Sequence, residues 1–187
     1  MRVVTPSDTV LDQTAGDVEQ LKRIATTLRQ GRNDDTLKAI SEHLRSICVP
    51  DKEAFWDSSL RDRRVSSDML APGSAWGCSA QAQVACHLAR ACGIPAILVK
   101  SLNVRWIDID NSGDGRGHGH VWVEVLLHGK ACLWDAQSGR LYEDYDPQSD
   151  RIEDKRIYEK GGPNELVLSH HGSEWEAETR RLFPRRT

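Results

Sequence analysis

Apolar residues within positions 1–50 recur at helical spacing in two separate stretches. They are Val18, Leu21, Ala25 and Leu28 in the first stretch, and Leu37, Ile40, Leu44 and Ile47 in the second. The first stretch predicts an amphipathic helix with Asp17 or Thr14 as its N-terminal cap. The second predicts a helix that begins near Asn33-Asp34 and ends before Pro50.

A third helix is predicted between two glycine-containing segments. Its apolar positions form one continuous face: Val84, Ala85, Leu88, Ala91 and Cys92. Gly93 suits the left-handed residue that follows many helices, and Pro95 cannot continue a helix. The helix is preceded by Gly-Ser-Ala-Trp-Gly at 73–77, so Cys78 is predicted to lie at or just before its first turn.

Strict alternation predicts the clearest strand over residues 120–127. Its two faces are Val121, Val123, Val125 and Leu127, and His120, Trp122, Glu124 and Leu126. His128-Gly129 then predicts a two-residue hairpin turn, with residues 130–135 as the partner strand.

The hairpin fixes a register that brings two polar residues together. A two-residue turn opposes Leu127 to Lys130. His120 and Asp135 then lie on the same sheet face as diagonal neighbours, with Cα atoms roughly 7 Å apart. A slip of one residue would turn Asp135 to the other face.

Beyond Asp135, residues 139–169 predict two or three further short strands, including Glu165–Ser169. The capping-box pattern at Ser173-Glu174-Trp175-Glu176 predicts a final helix. Helices followed by an antiparallel sheet predict an α+β fold, with a catalytic helix packed on the sheet. We expect a single domain over residues 1–187, divided into a helical part (1–50), a core that carries the candidate chemistry (51–140) and C-terminal strands and helix (141–187).

Composition and charge narrow the classes of partner. The chain has 187 residues, 39% of them hydrophobic, and a net charge of −3, which argues against nucleic acid and anionic membranes as partners. No apolar run approaches the ~20 residues of a membrane span, and the N-terminus lacks a signal-peptide core. The five cysteines show no Cys-x-x-Cys spacing, so we expect reduced thiols and a cytoplasmic protein. Export without a classical signal stays open, as does the oligomeric state.

Cys78 is the strongest candidate nucleophile. A thiolate attacks carbonyl carbons, and the positive end of a helix favours the thiolate over the thiol. Unpaired backbone N–H groups in the first turn can hold an oxyanion, which makes Gly77 a candidate at the same place. Trp76 and Trp122 are candidates for substrate contact, and packing against the core is the alternative for an aromatic residue.

His120 and Asp135 supply the two groups that a thiol nucleophile needs. An imidazole can exchange the proton, and a carboxylate on the same face can orient it and stabilise its charged form. His118 is the competing base. A metal site that uses His118, His120 and a cysteine is a weaker alternative, because two histidines do not complete a tetrahedral site.

Three blocks resemble the transglutaminase-like cysteine-enzyme superfamily. They are Gly-Ser-Ala-Trp-Gly-Cys-Ser-Ala-Gln-Ala (73–82), Gly-His-Val-Trp-Val-Glu-Val (119–125) and Leu-Trp-Asp (133–135), over about residues 60–140. The resemblance implies a papain-like arrangement with Cys78 as nucleophile, His120 as base and acid, and Asp135 as the orienting carboxylate. Gln81 stands where the family often has an aromatic residue, and Ile97 where it often has Arg. These departures affect the expected substrate more than the triad.

The segment 108–115 resembles the first half of an EF-hand calcium loop. Asp108, Asp110 and Ser112 would supply oxygens, but Gly119 stands where a bidentate glutamate belongs. We therefore expect no cofactor, with calcium as the weaker alternative.

Two classes of function fit these patterns. The first is a thiol enzyme acting on carboxamide or peptide bonds of a protein or peptide substrate, most simply by hydrolysis, with amine transfer as the alternative. The second is a non-catalytic protein-binding domain of the same fold. Retention of all three triad residue types favours the enzyme.

Overall fold

The computed structural model describes residues 1–48, 65–71, 77–104 and 119–163. Three α-helices are seen in these ranges: α1 (Val18–Leu28), α2 (Asn33–Ile47) and α3 (Gly77–Ala91). Six strands follow: β1 (Ala96–Asn103), β2 (Gly119–Leu127), β3 (Lys130–Asp135), β4 (Arg140–Tyr142), β5 (Arg151–Ile152) and β6 (Lys155–Gly161). The predicted α+β fold is confirmed.

The helix boundaries follow the sequence signals. Asp17 caps α1, since its side chain accepts a hydrogen bond from the backbone N–H of Gln20. Helix α2 ends at Ile47. Helix α3 is followed by Gly93, whose φ of +82° is the left-handed conformation expected after a helix.

The six strands form one antiparallel sheet in the order β4-β3-β2-β1-β6-β5. The predicted hairpin register is confirmed, since Leu127 pairs with Lys130 and the β2–β3 pairing continues to Val123 and Trp134. His128 and Gly129 both have positive φ, as the turn requires.

Helix α3 packs on one face of the sheet, and α1 and α2 pack against α3. Their apolar side chains join those of Val121, Val123 and Val125 in the main hydrophobic core. Helix α3 lies deeper than one apolar face predicts, because Gln83, His87 and Arg90 are buried along with its apolar residues. It is therefore enclosed on nearly all sides, which fixes the position of its first turn.

The opposite face of the sheet contains a buried polar network. The carboxylate of Glu124 forms an ion pair with Lys160, whose side chain is 1% exposed. It also accepts hydrogen bonds from the Tyr145 hydroxyl at 2.9 Å and the backbone N–H of Val4 at 2.7 Å. A buried ion pair requires such additional partners. The network ties the N-terminal segment and residue 145 to the strand that carries His120.

Several predicted features lie outside the described residues. These are the strand at Glu165–Ser169 and the final helix beginning at Ser173-Glu174-Trp175-Glu176. Within the described ranges, none of the helices combines the length and apolar character needed to cross a membrane.

Candidate active site

Cys78 is the second residue of α3, so its thiol lies at the helix N-terminus, where the partial positive charge favours the thiolate. Gly77 begins the helix with φ of +67°, a conformation that a side chain would disfavour. Both residues thus lie at the loop-to-helix junction, as the sequence predicted.

The Cys78 thiol contacts three groups that stabilise its charged form. Burial opposes ionisation, but hydrogen bonds from His120, the backbone N–H of Val121 and the Ser79 hydroxyl, with the charge of His120, hold its pKa below the usual value. The role of Ser79 was not predicted, although its place in the first helical turn beside Cys78 was a usable signal.

The pKa values of the other four cysteines are shifted in the opposite direction. Burial raises the pKa of Cys48, Cys86, Cys92 and Cys132. Only Cys78 combines a lowered pKa with an imidazole partner, which is the environment expected of a nucleophilic thiol.

The thiol reaches β2 just past the end of the β2–β3 ladder. The pairing between these strands runs from Leu127 and Lys130 to Val123 and Trp134. His120 and Val121 lie beyond the last pair, and there the Val121 backbone N–H meets the Cys78 thiol. The end of the hairpin thus leaves room for the first turn of α3 beside the strand.

His120 lies between the thiol and a carboxylate. Its Nε2 is 3.3 Å from Oδ1 of Asp135, and each side chain is 16% exposed. Among the described residues Nε2 makes no well-directed hydrogen bond, so the contact with Asp135 is an ion pair. Burial disfavours the charged ring, but Asp135 and Cys78 outweigh burial and raise the pKa of His120 to about 9.

The Asp135 carboxylate is oriented by the turn that follows β3. Its Oδ1 accepts hydrogen bonds from the backbone N–H groups of Gln137 at 3.0 Å and Ser138 at 3.3 Å. Burial would raise the pKa of Asp135, but the His120 and Ser138 contacts lower it. Asp135 therefore stays charged beside the imidazole.

Trp122 packs against the imidazole. Its ring centroid is 4.9 Å from that of His120 in an edge-to-face arrangement, and the residue is only 2% exposed. This burial places Trp122 behind the imidazole, which corrects its predicted role in contacting substrate. Lys155 lies over the same ring at 5.9 Å.

The two departures from the family pattern occupy buried positions. Gln81 donates a hydrogen bond from Nε2 to Sγ of Cys48 at 2.8 Å, while its own amide oxygen is buried with no hydrogen-bond partner among the described residues. Ile97 is fully buried beside Val4 and Ala131. Ile97 thus serves packing, whereas Gln81 adds a polar group one turn after Cys78.

A second Ser-His-Asp arrangement lies inside the protein. The Oγ of Ser66 is 2.7 Å from Nδ1 of His87, and Nε2 of His87 is 3.5 Å from Oδ1 of Asp12. Ser66 and His87 are both fully buried, so a substrate carbonyl cannot reach the serine. This arrangement connects α3 to the segments around residues 12 and 66 and is structural.

The remaining candidates lie outside the described residues: Trp76, Asp108, Asp110, Ser112 and His118. Among residues 1–48, 65–71, 77–104 and 119–163, no group of three or more His, Cys, Asp or Glu side chains could hold a metal ion. The calcium hypothesis therefore stays a prediction from sequence.

The arrangement can hold a thiolate next to an imidazolium. A lowered thiol pKa and a raised imidazole pKa favour transfer of the proton from Cys78 to His120. Such a pair provides a nucleophile and a proton donor, which are the two requirements for cleaving an acyl–nitrogen bond.

Comparison with solved structures gives a similar fold. A crystal structure of a proposed cysteine protease from Cytophaga hutchinsonii superposes with a TM-score of 0.56 at 15% identity. The alignment covers 86% of this chain and 48% of the other, so this chain spans about half the length of that protein. At this identity the likeness shows the fold alone.

Comparisons of sequence give a family. No curated protein matches the chain significantly. The family model of the transglutaminase-like superfamily, by contrast, matches residues 22–136, a span that includes α2, α3 and the β2–β3 hairpin. Since this match covers more than half of the 187 residues and includes Cys78, His120 and Asp135, the chain belongs to the transglutaminase-like superfamily.

Proposed function

We propose that this protein is a cysteine-dependent amide hydrolase that cleaves carboxamide or peptide bonds of a protein or peptide substrate. Cys78 is the nucleophile, His120 the general base and acid, and Asp135 the carboxylate that orients His120. Membership in the superfamily supports a thiol enzyme in general.

One observation carries the proposal. His120 contacts both Cys78 and Asp135, and the pKa shifts of the three groups all favour their charged forms. The other cysteines lack this environment, and burial raises their pKa instead. A binding domain would need none of these three side chains in this arrangement.

The geometry supports a two-step reaction. The Cys78 thiolate forms a bond to the substrate carbonyl carbon, and the resulting oxyanion is held by backbone N–H groups at the start of α3. His120 then donates its proton to the leaving nitrogen as the C–N bond breaks, which leaves a thioester on Cys78. Neutral His120 next takes a proton from water, whose oxygen attacks the thioester, and the thiolate leaves.

Hydrolysis and amine transfer share the first step and differ in the second nucleophile. The structural neighbour, described as a proposed cysteine protease, favours hydrolysis. Hydrolysis also requires no device that excludes water from the thioester. Amine transfer is the alternative that the superfamily itself provides.

A labelling experiment tests both steps. A peptide mixture is incubated with the protein in 18O-labelled water, with and without a primary amine, and products are read by mass spectrometry. We expect 18O in new carboxylates, abolished in Cys78→Ala and retained in the matched control Cys132→Ala. Amine adducts in place of 18O would establish transfer, and products that persist in Cys78→Ala would overturn the proposal.

A further inference from the structure

Helix α2 packs directly against the residues that carry the candidate carboxylate. Ser41 and Arg45 lie one helical turn apart, on the side of α2 that faces the β3–β4 connection. The indole Nε1 of Trp134, the residue before Asp135, donates a buried hydrogen bond to Oγ of Ser41 at 3.1 Å. This contact fixes the end of β3 to the helix.

The second contact is made by Arg45. Its Nη1 donates a hydrogen bond to the backbone carbonyl of Ser138 at 3.2 Å. The N–H of the same residue, Ser138, donates to the Asp135 carboxylate at 3.3 Å. Arg45 therefore restrains the residue that in turn restrains Asp135.

Close packing completes the arrangement at Gly139. A Cβ atom on this glycine would lie 3.5 Å from Cβ of Ser41 and 3.8 Å from Nη1 of Arg45. Gly139 has φ of +81°, and its N–H donates to the backbone carbonyl of Asp135 at 2.7 Å. The turn after Asp135 is thus closed on itself and held against α2.

Helix α2 also reaches the helix that carries the thiol. At its C-terminal end, Sγ of Cys48 accepts a hydrogen bond from Nε2 of Gln81, one turn beyond Cys78 on α3. The same helix therefore contacts the element that carries Cys78 and the turn that carries Asp135. His120 lies between these two elements.

We propose that Ser41 and Arg45 are positioning residues, which hold Trp134 and the 135–139 turn so that the Asp135 carboxylate meets His120. Neither residue contacts the reacting atoms. Ser41 acts through the indole of Trp134, and Arg45 acts through the backbone carbonyl of Ser138. The inference rests on the proposed function, because the orientation of Asp135 matters only if its carboxylate orients His120 for catalysis.

The test follows the ionisation of His120 by NMR in protein whose thiol is removed by Cys78→Ala, so that the thiol does not titrate with the ring. We expect the His120 midpoint to move to lower pH in Arg45→Ala and in Ser41→Ala, because a less well-held carboxylate stabilises the imidazolium less. Lys38→Ala, an exposed position on the same helix, is the matched control and should leave the midpoint unchanged. Arg45→Lys keeps a donor for the Ser138 carbonyl, so its His120 midpoint should stay close to that of the protein with only Cys78→Ala.

A kinetic arm uses protein with Cys78 intact. Loss of one hydrogen bond of this kind should lower kcat about two- to tenfold with KM nearly unchanged, since the contact acts on orientation and not on substrate. The inference is wrong if Arg45→Ala and Ser41→Ala lower the melting temperature but have the same His120 midpoint as the Lys38→Ala control. The two contacts would then be only structural. Asp135→Asn separates the two hypotheses: if it also leaves the midpoint unchanged, the proposed triad and the inference both fail.

Discussion

His120 and Asp135 meet across the open end of the β2–β3 hairpin, with Nε2 3.3 Å from Oδ1. The two residues come from different strands, and the turn at His128-Gly129 sets their relative position. Because the pKa of His120 is raised to about 9, the imidazole carries a positive charge at neutral pH. The Cys78 thiol and the Asp135 carboxylate therefore flank a cation.

Cys78 should be the most reactive thiol in the folded protein. With iodoacetamide at neutral pH we expect it to be alkylated well before the other four cysteines, because the thiolate is the reacting species and only this thiol has a lowered pKa. Peptide mapping by mass spectrometry gives the order of labelling. Equal labelling of Cys48 or Cys132 would contradict the assignment. Replacing Cys78 by Ala should abolish turnover while changing the free energy of unfolding by about 1 kcal/mol or less.

Replacing His120 should lower activity more than replacing Asp135. His120→Ala should lower kcat/KM by about 10²- to 10⁴-fold, because it removes the group that transfers the proton. Asp135→Ala should cost less and should spare Cys78 alkylation more, because it removes only the group that orients the base. Steady-state kinetics and alkylation rates on both variants give the ranking. The reverse order would point to another base, with His118 as the first candidate.

Turnover should have a bell-shaped dependence on pH. The thiolate is lost as pH falls through the lowered pKa of Cys78, and the imidazolium is lost as pH rises through about 9. Activity should therefore extend to lower pH than an ordinary thiol allows and decline near pH 9. In Asp135→Ala the alkaline limb should move to lower pH. A profile that only rises towards the pKa of a free thiol would show that the ion pair does not form.

The buried network at Glu124 should matter for stability. Glu124→Ala leaves Lys160 charged and buried, and we expect a loss of about 3–5 kcal/mol in the free energy of unfolding. Lys160→Met should be similarly harmful, whereas the double variant should lose less than the sum of the two single variants. Urea unfolding of the four proteins measures this coupling, and strictly additive losses would contradict it.

Calcium should have no effect on stability. The acidic loop lacks a glutamate at the position held by Gly119, so its set of oxygen ligands is incomplete. Millimolar calcium should leave the melting temperature unchanged in the parent and in Asp110→Ala alike. A rise that a chelator reverses, and that Asp110→Ala abolishes, would establish a calcium site.

The sequence predicted the elements that depend on local patterns. Alternation and a two-residue turn were sufficient for the β2–β3 register, and capping and helix-ending residues were sufficient for α3. Strand β1 was missed because it is buried on both faces from Ala96 to Leu102, which removes the alternation that identifies a strand. Its position between β2 and β6 could not be inferred either.

Contacts between residues far apart in the sequence could not be predicted, for a different reason. Nothing in the pattern around Glu124 indicates that Lys160 will neutralise it, and nothing around Ser41 indicates that Trp134 will bind there. Such pairs depend on how the folded helices and strands pack against one another. The sequence therefore predicted the residues of the candidate site better than the contacts that support them.

The placement of Cys78, His120 and Asp135 on three different elements has a consequence during synthesis of the chain. A nascent polypeptide that has left the ribosome as far as Cys78 contains neither His120 nor Asp135, so its thiol has an ordinary pKa. The thiol thus acquires its lowered pKa only once the strand that carries His120 and Val121 has packed beside the first turn of α3.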